Sequence, residues 1–181
     1  MELLAVANPE KLPDALTIGT PALHDAVVMH RLAEKSGVLD VNSRYAYLLC
    51  VHLFQRSCRV VRNQADEVLG FVTAIVDPEA SDTLFVWQVT IDQSARGQQL
   101  GAKMIVDIIS TLQVRYVEAT VTPSNAPSAR MFARIADLLD ADIHRSAGFA
   151  PELFAPEEHE AEELVRIGPV LNNIIHLQES L

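Results

Sequence analysis

An α+β domain with a mixed, mostly antiparallel central sheet flanked by helices is the fold class this sequence predicts, and three observations predict it. Two amphipathic helical stretches come first, at 20–37 and 42–54. A meander of strand-like runs follows, "CRVVR", "VLGFVTAIV" and "TLFVWQVTI", separated by short polar turns. The remainder alternates strand and helix. The 181 residues are expected to form one domain, 1–181, which is long enough to bury a core without disulfides or structural metal.

In order along the chain, "ALTIG" predicts a first strand. "TPALHDAVVMHRLAEKSG" predicts a helix capped by Thr20, with Pro21 in its first turn, Gly37 as its stop, and Ala22, Ala26, Met29 and Ala33 on one face. After the link "VLD", residues 42–54 predict a second helix capped by Asn42 or Ser43, with Tyr45, Leu48, Leu49, His52 and Leu53 on one side. "NQADE" turns a hairpin, and "DPEASD" leads into the strand 83–91. A third helix is expected over roughly 97–112, "RYVEATV" as a strand, and "TPSNAPS" as a capped turn into the helix "ARMFARIADLL". "IHRSAGFAPELFAPEEHE" carries no clear period, and "ELVRIGP" closes the chain as a strand.

Composition narrows the partners. Fourteen basic against twenty-four acidic residues give a net charge of −10, which disfavours nucleic acid and anionic membrane and mildly favours a cationic substrate. Cys50 and Cys58 have no ligand-spaced partners, so neither a zinc site nor a disulfide framework is indicated. His159, in "PEEHEAEE", reads as part of a charged solvated segment rather than a metal ligand. The opening "MELLAVANPEK" lacks a basic region before its apolar run, and no stretch is long enough to span a bilayer, so a cytoplasmic location is expected.

The segment "WQVTIDQSARGQQLGAKMIVDI" runs from a strand through "RGQQLG" into a helix. Gly97 and Gly101 let the backbone come close to an anion, and the first N–H groups of the new helix face it with the positive end of the helix dipole. Alone, such a loop is equally a plain turn with a helix behind it. Rossmann glycine spacing and the Walker "GKS" or "GKT" are absent, which disfavours nucleotide hydrolysis.

The order strand, "RGQQLG", helix, strand and "PSNAPS" helix resembles the GCN5-related N-acetyltransferases. That resemblance implies that Arg96 and the amides of Gly97, Gln98, Gln99, Leu100 and Gly101 hold the pyrophosphate of acetyl-coenzyme A, used as cosubstrate, with no metal. Gln99 stands where the family has a glycine, so only its backbone is expected to be used. Reading outward, "LDVNSRYAYLL", "TLFVWQVTI", "VEATVTPSNAPSARMFARIA" and "LVRIGP" are similar to the diaminobutyrate acetyltransferases of ectoine synthesis. The implied reaction moves acetyl to the γ-amine of L-2,4-diaminobutyrate, and the implied assembly is a homodimer.

The resemblance also implies site residues. The strand 83–91 is expected to splay from its neighbour near a bulge, offering main-chain N–H groups at Val89 and Ile91 to the pantetheine and the thioester carbonyl. Val89 would stabilise the oxyanion, while both side chains read as ordinary core. Asn125 reads as a contact to the pantetheine or as a helix cap. Phe132 stands where many relatives have a tyrosine acid. Asp40 is nominated to bind the α-ammonium and orient the reaction, with Asn42, Ser43 and Tyr45 adding polar contacts and Trp87 walling the pocket. A turn role for Asp40 and packing roles for Tyr45 and Trp87 are the alternatives. Two rival functions keep the same loop: acetylation of another small amine or a peptide N-terminus, and a non-catalytic acyl-coenzyme A module.

Overall fold

The computed structural model describes residues 16–156 and 158–170. The opening apolar run and His176 therefore lie outside the described residues. Seven strands form one sheet: β1 (Thr17–Gly19), β2 (Arg59–Arg62), β3 (Val68–Val76), β4 (Thr83–Ile91), β5 (Tyr116–Val121), β6 (Ile143–Ala147) and β7 (Glu163–Ile167). The helices are α1 (Asp25–Ser36), α2 (Arg44–Phe54), α3 (Leu100–Leu112) and α4 (Ala126–Leu139). The sheet order is β1-β2-β3-β4-β5-β7-β6. Every pairing is antiparallel except β4 with β5, so the expected mixed sheet is present.

Two apolar clusters flank the sheet. The larger gathers Met104, Ile105, Ile108 and Ile109 of α3 and Phe132 and Ile135 of α4 against Val72, Leu84, Val117 and Ile167 of the sheet. The smaller packs Met29 and Ala33 of α1 and Tyr47 and Val51 of α2 against Val60 and Phe71. Arg59 is buried beside the α3 contact, where its Nε donates to Asp107 Oδ2 at 2.5 Å and its Nη2 to Thr111 Oγ1 at 3.0 Å. A guanidinium taken out of water needs such a full set of acceptors, because an unpaired buried charge is strongly destabilising.

Local signals decided most boundaries. Gly37 ends α1 at a left-handed φ of 68°. α1 starts later than the sequence suggests: residues 22–25 form a turn in which Asp25 Oδ2 accepts from the Ala22 N–H at 2.6 Å, and Thr20 caps nothing helical. Ser43 caps α2, its Oγ accepting from the Ala46 N–H at 3.2 Å. α3 begins at Leu100 rather than 97, after a 3₁₀ turn over Gln93–Ala95.

The expected face of α2 is corrected. Its buried residues are Tyr47, Cys50 and Val51, whereas Tyr45 (67% exposed) and Leu53 (61%) face outward with Leu48 and His52. The eleven-residue helix carries apolar residues on both sides, so helical spacing alone does not choose between them. Packing against α1 and Phe71 chooses the Tyr47 side.

Burial also makes the cysteines inert. It raises the Cys50 thiol and pushes that of Cys58 up to about 12, so neither supplies a thiolate near neutral pH. Ellman's reagent at pH 8 is expected to label neither cysteine in the native chain and both in denaturant; stoichiometric native labelling would contradict this packing.

Candidate active site

The site begins at a fault in the sheet. Thr73 pairs with Gln88 and Ala74 with Val86, so Trp87 is the extra residue of a β-bulge on β4. On its other side β4 pairs with β5 only over Thr83–Phe85. The two strands continue to Ile91 and Val121 but separate, which is the splay the family resemblance implies. Beyond Phe85, the main chain of β4 on that side faces a gap instead of a strand.

A cavity of about 480 Å³ fills this gap. One wall is β4 from Phe85 to Val89, the opposite wall is β5 and its exit from Ala119 to Thr122, and the start of α4 contributes Asn125, Ser128, Met131 and Phe132. The link before α2 adds Val38, Leu39, Asp40 and Asn42. Phe149, Phe154, His159 and Glu162 close it from a fourth side. The size suits a small ligand with part of a larger one.

The sequence-nominated residues sort into three groups. Asp40, Asn42, Trp87, Val89 and Asn125 meet at this cavity. Trp87 is 43% exposed, which removes the plain core reading for its side chain. Val89 and Ile91 both pack against the larger cluster, and Ile91 lies at a neighbouring smaller cavity with Arg96. Asn125 is the cap of α4, its Oδ1 accepting from the Ser128 N–H at 3.1 Å while the residue also lines the cavity. Ser43 and Tyr45 are not among the lining residues: Ser43 is occupied as the α2 cap, and Tyr45 sits on the outward face.

The loop from Arg96 to Gly101 has its own geometry. Gly97 has φ 84° with open space around its Cα, so glycine serves backbone conformation there. Gln99 holds φ 57° without glycine and makes no side-chain cap; its Oε1 instead accepts from Arg134 Nε at 2.8 Å. That bond draws the Gln99 side chain toward α4 and leaves the first N–H groups of α3 to an anion. Arg96 Nε donates to the Ile91 carbonyl at 3.2 Å, so its guanidinium is held against the end of β4. Gly101 lies inside α3, where a Cβ would stand 2.8 Å from Met131 Sδ and 3.2 Å from Val89 Cγ1. Its glycine is required by close packing of α3 on β4 and α4. Since glycine adopts a left-handed φ without cost, Gln99→Gly is expected to keep coenzyme A affinity within a few fold by calorimetry.

Residues 149–162 are the part that sequence reasoning missed. The Gly148 N–H donates to the Glu162 carbonyl at 3.0 Å and the Glu162 N–H to the Phe149 carbonyl at 2.9 Å, which ties both ends of the segment together. Within it, Phe154 and His159 stack at 4.0 Å, and His159 Nδ1 lies 2.6 Å from the Glu160 carbonyl. The segment expected to be a solvated stretch therefore carries His159 and Glu162 into the cavity wall, with Nε2 and Oε1 3.9 Å apart. Only the alternation of acidic residues with aromatic Phe149 and Phe154 hinted at this.

Among the described residues, no group of three or more His, Cys, Asp or Glu side chains stands ready to hold a metal, and no helix is long and apolar enough to cross a membrane.

Residues 28–136 match the acetyltransferase (GNAT) family. The chain belongs to that family. It is 41% identical over 170 residues to the L-2,4-diaminobutyric acid acetyltransferase of Halalkalibacterium halodurans, covering 92% of this chain and 89% of that one. The enzyme of the same description from Halomonas elongata is 37% identical over 91% of this chain and 86% of its own. Among solved structures, the diaminobutyrate acetyltransferase of Paenibacillus lautus, in complex with its substrate L-2,4-diaminobutyric acid and coenzyme A, superposes with a TM-score of 0.82 at 31% identity over 89% of this chain and 99% of that one. Ard1 from Thermoplasma volcanium, at 16% identity over 85% of this chain and 98% of its own and a TM-score of 0.67, shares the fold. The narrower resemblance carried by "LDVNSRYAYLL" and "TLFVWQVTI" is borne out by these relatives.

Proposed function

We propose that the chain transfers the acetyl group of acetyl-coenzyme A to the γ-amine of L-2,4-diaminobutyrate, giving the Nγ-acetyl product, and that all 181 residues serve this one domain. The observation that carries the reading is the cavity between separated β4 and β5, with Asp40 and Glu162 among its lining residues, in a chain 31% identical to an acetyltransferase solved with both ligands.

The coenzyme's pyrophosphate rests on the amides from Gly97 to Gly101, with Arg96 adding charge, and its pantetheine runs between β4 and β5 past Asn125. The thioester then lies beside the Val89 N–H. Diaminobutyrate enters from the Asp40 side, Trp87 walls it, and the α-ammonium pairs with the Asp40 carboxylate. Asn42 adds a polar contact from the same link. The γ-amine, once it has given up a proton, attacks the thioester carbon. A C–N bond forms, the carbonyl oxygen gathers negative charge toward the Val89 N–H, and the C–S bond then breaks. One well-placed N–H of this kind is worth roughly 2.7–4 kcal/mol. The attacking nitrogen sheds its second proton as the amide forms, and the departing thiolate is protonated in its place. With phenylalanine at 132, no tyrosine acid acts from that position, and a free thiol's pKa of about 8.5 makes the thiolate a tolerable leaving group without one. His159 and Glu162, which line the same cavity 3.9 Å apart, are the groups to which we assign the ammonium proton.

The test is incubation of purified protein with acetyl-coenzyme A and a panel of diamines and peptides, followed by NMR assignment of the acetylated nitrogen. Preferred γ-acetylation of diaminobutyrate supports the proposal; turnover only of another amine, or coenzyme binding without turnover, overturns it. Trp87→Ala is expected to raise KM for diaminobutyrate more than KM for acetyl-coenzyme A. At 43% exposure the indole contributes less to stability than the roughly 3–5 kcal/mol of a buried tryptophan, so Tm should change little.

The proposal extends to a cytoplasmic homodimer that engages neither nucleic acid nor membrane. The net charge of −10 supports the last two, and the outward stripe of Tyr45, Leu48 and Leu53 on α2 offers an apolar face for the first. Light scattering tests the dimer.

A further inference from the structure

We propose that Tyr47 and Gln88 form a buried anchor that fixes the Asp40–Asn42 link over the acceptor end of the cavity, making both of them positioning residues for diaminobutyrate. The inference rests on the functional reading above and deepens it, because it assigns acceptor placement to two side chains that touch no reacting atom.

Tyr47 is 2% exposed and Gln88 6%. Tyr47 Oη donates to Gln88 Oε1 at 2.9 Å, across 41 residues of sequence. Gln88 Nε2 in turn donates to the Asp40 carbonyl at 2.7 Å, across 48 residues. Both ends of the Gln88 amide are thus engaged, one by the α2 tyrosine and one by the main chain of the link. Asn42 Nδ2 makes a longer contact to the same Asp40 carbonyl, at 3.5 Å. Aromatic contacts lock the first member: the His30 ring meets Tyr47 edge-on at 5.7 Å and Phe71 does so at 5.9 Å. Burial raises the phenol's pKa, so Tyr47 remains a neutral donor throughout the working range.

The bulge makes the arrangement possible. Trp87 is exposed at the cavity while Gln88, the next residue, is buried beneath the link, so two consecutive residues of β4 serve opposite sides of one acceptor site. Asp40 itself is exposed and follows Val38, which is 82% exposed. Leu39 packs the start of the link against the smaller cluster and its N–H donates to Ser36 Oγ at 3.1 Å, and the Gln88 bond to the Asp40 main chain supplies the next fixed point. Held this way, the Asp40 carboxylate sits at a set distance from the Val89 main chain. With one nitrogen of diaminobutyrate bound there, that distance brings the other within reach of the thioester.

The test uses Gln88→Met, Tyr47→Phe and the double variant in the full-length protein. Met fills a similar volume without the amide, and Phe removes only the hydroxyl. Hydrogen exchange at residues 39–43 is measured first, without any substrate. The expected result is at least tenfold faster exchange there in Gln88→Met and a smaller rise in Tyr47→Phe, with the double variant at least as fast as Gln88→Met because Tyr47 also bonds to Asn42 of the link. Steady-state kinetics should then show KM for diaminobutyrate raised about tenfold or more in Gln88→Met and KM for acetyl-coenzyme A within about twofold. Parental exchange at 39–43 overturns the anchor, and so does an equal rise in both KM values. If parent protein acetylates no diaminobutyrate, the functional reading fails, and the exchange data still decide whether the anchor exists.

Discussion

Asp40→Asn is expected to lower kcat/KM for diaminobutyrate by about ten to a hundred fold. The residue lines the cavity, and its main chain is held there by Gln88. A hydrogen bond between a carboxylate and an ammonium contributes roughly 1.5–3 kcal/mol, and asparagine keeps the shape while losing the charge. The same loss should appear on 1,3-diaminopropane, whose second amine has the same spacing but which lacks the α-carboxylate. A fall on both amines with an unchanged KM for acetyl-coenzyme A identifies the ammonium as the group Asp40 binds. Parental kcat/KM and γ-selectivity in the variant would make Asp40 a turn residue and move the anchor to Glu162, which faces the same cavity with His159.

What the sequence revealed and what it concealed divide by range. The hairpin of β2 and β3, the Gly37 stop and the Asn125 cap are written in residues next to the feature they make, and each is where local chemistry puts it. The strand-to-helix loop from Arg96 to Gly101 was legible as a connection for the same reason, although the roles of its glycines differ from one another: Gly97 supplies a positive φ, and Gly101 supplies space. α2 misled because its Tyr45 and Tyr47 faces are both apolar, and the choice between them belongs to α1 and Phe71, not to the helix. The Tyr47–Gln88–Asp40 chain spans separations of 41 and 48 residues that no window of sequence contains. β6 and the segment after it were illegible because their place comes from pairing with β7 and from the Gly148–Glu162 tie, while their own residues show no period. The charged residues around His159 read as a solvated segment, whereas Phe154 stacks on its ring and the Glu160 carbonyl lies against its Nδ1.

Gly101→Val is expected to weaken coenzyme A binding by up to about a hundredfold while the fold persists. Three elements meet at this residue: it belongs to the first turn of α3, and a Cβ there would stand 2.8 Å from Met131 Sδ on α4 and 3.2 Å from Val89 Cγ1 on β4. Met131 is unbranched and half-buried, so its sulfur can yield to a single methyl. Val89 is β-branched and fixed in the sheet, so it cannot yield to the two further methyls of valine. The start of α3 must then lift from β4, carrying with it the N–H groups assigned to the pyrophosphate. Overpacking of this kind costs roughly 1–3 kcal/mol, and each 1.4 kcal/mol is about tenfold in affinity. Gly101→Ala, whose single methyl asks Met131 to move and Val89 to give by only a few tenths of an ångström, should lose less than about tenfold on the same scale. Calorimetric titration of coenzyme A into the two variants, with circular dichroism to verify that each is folded, separates the cases. If folded Gly101→Val binds coenzyme A as tightly as the parent, the pyrophosphate does not rest on this turn, and the loop from Arg96 to Gly101 is only the connection between β4 and α3.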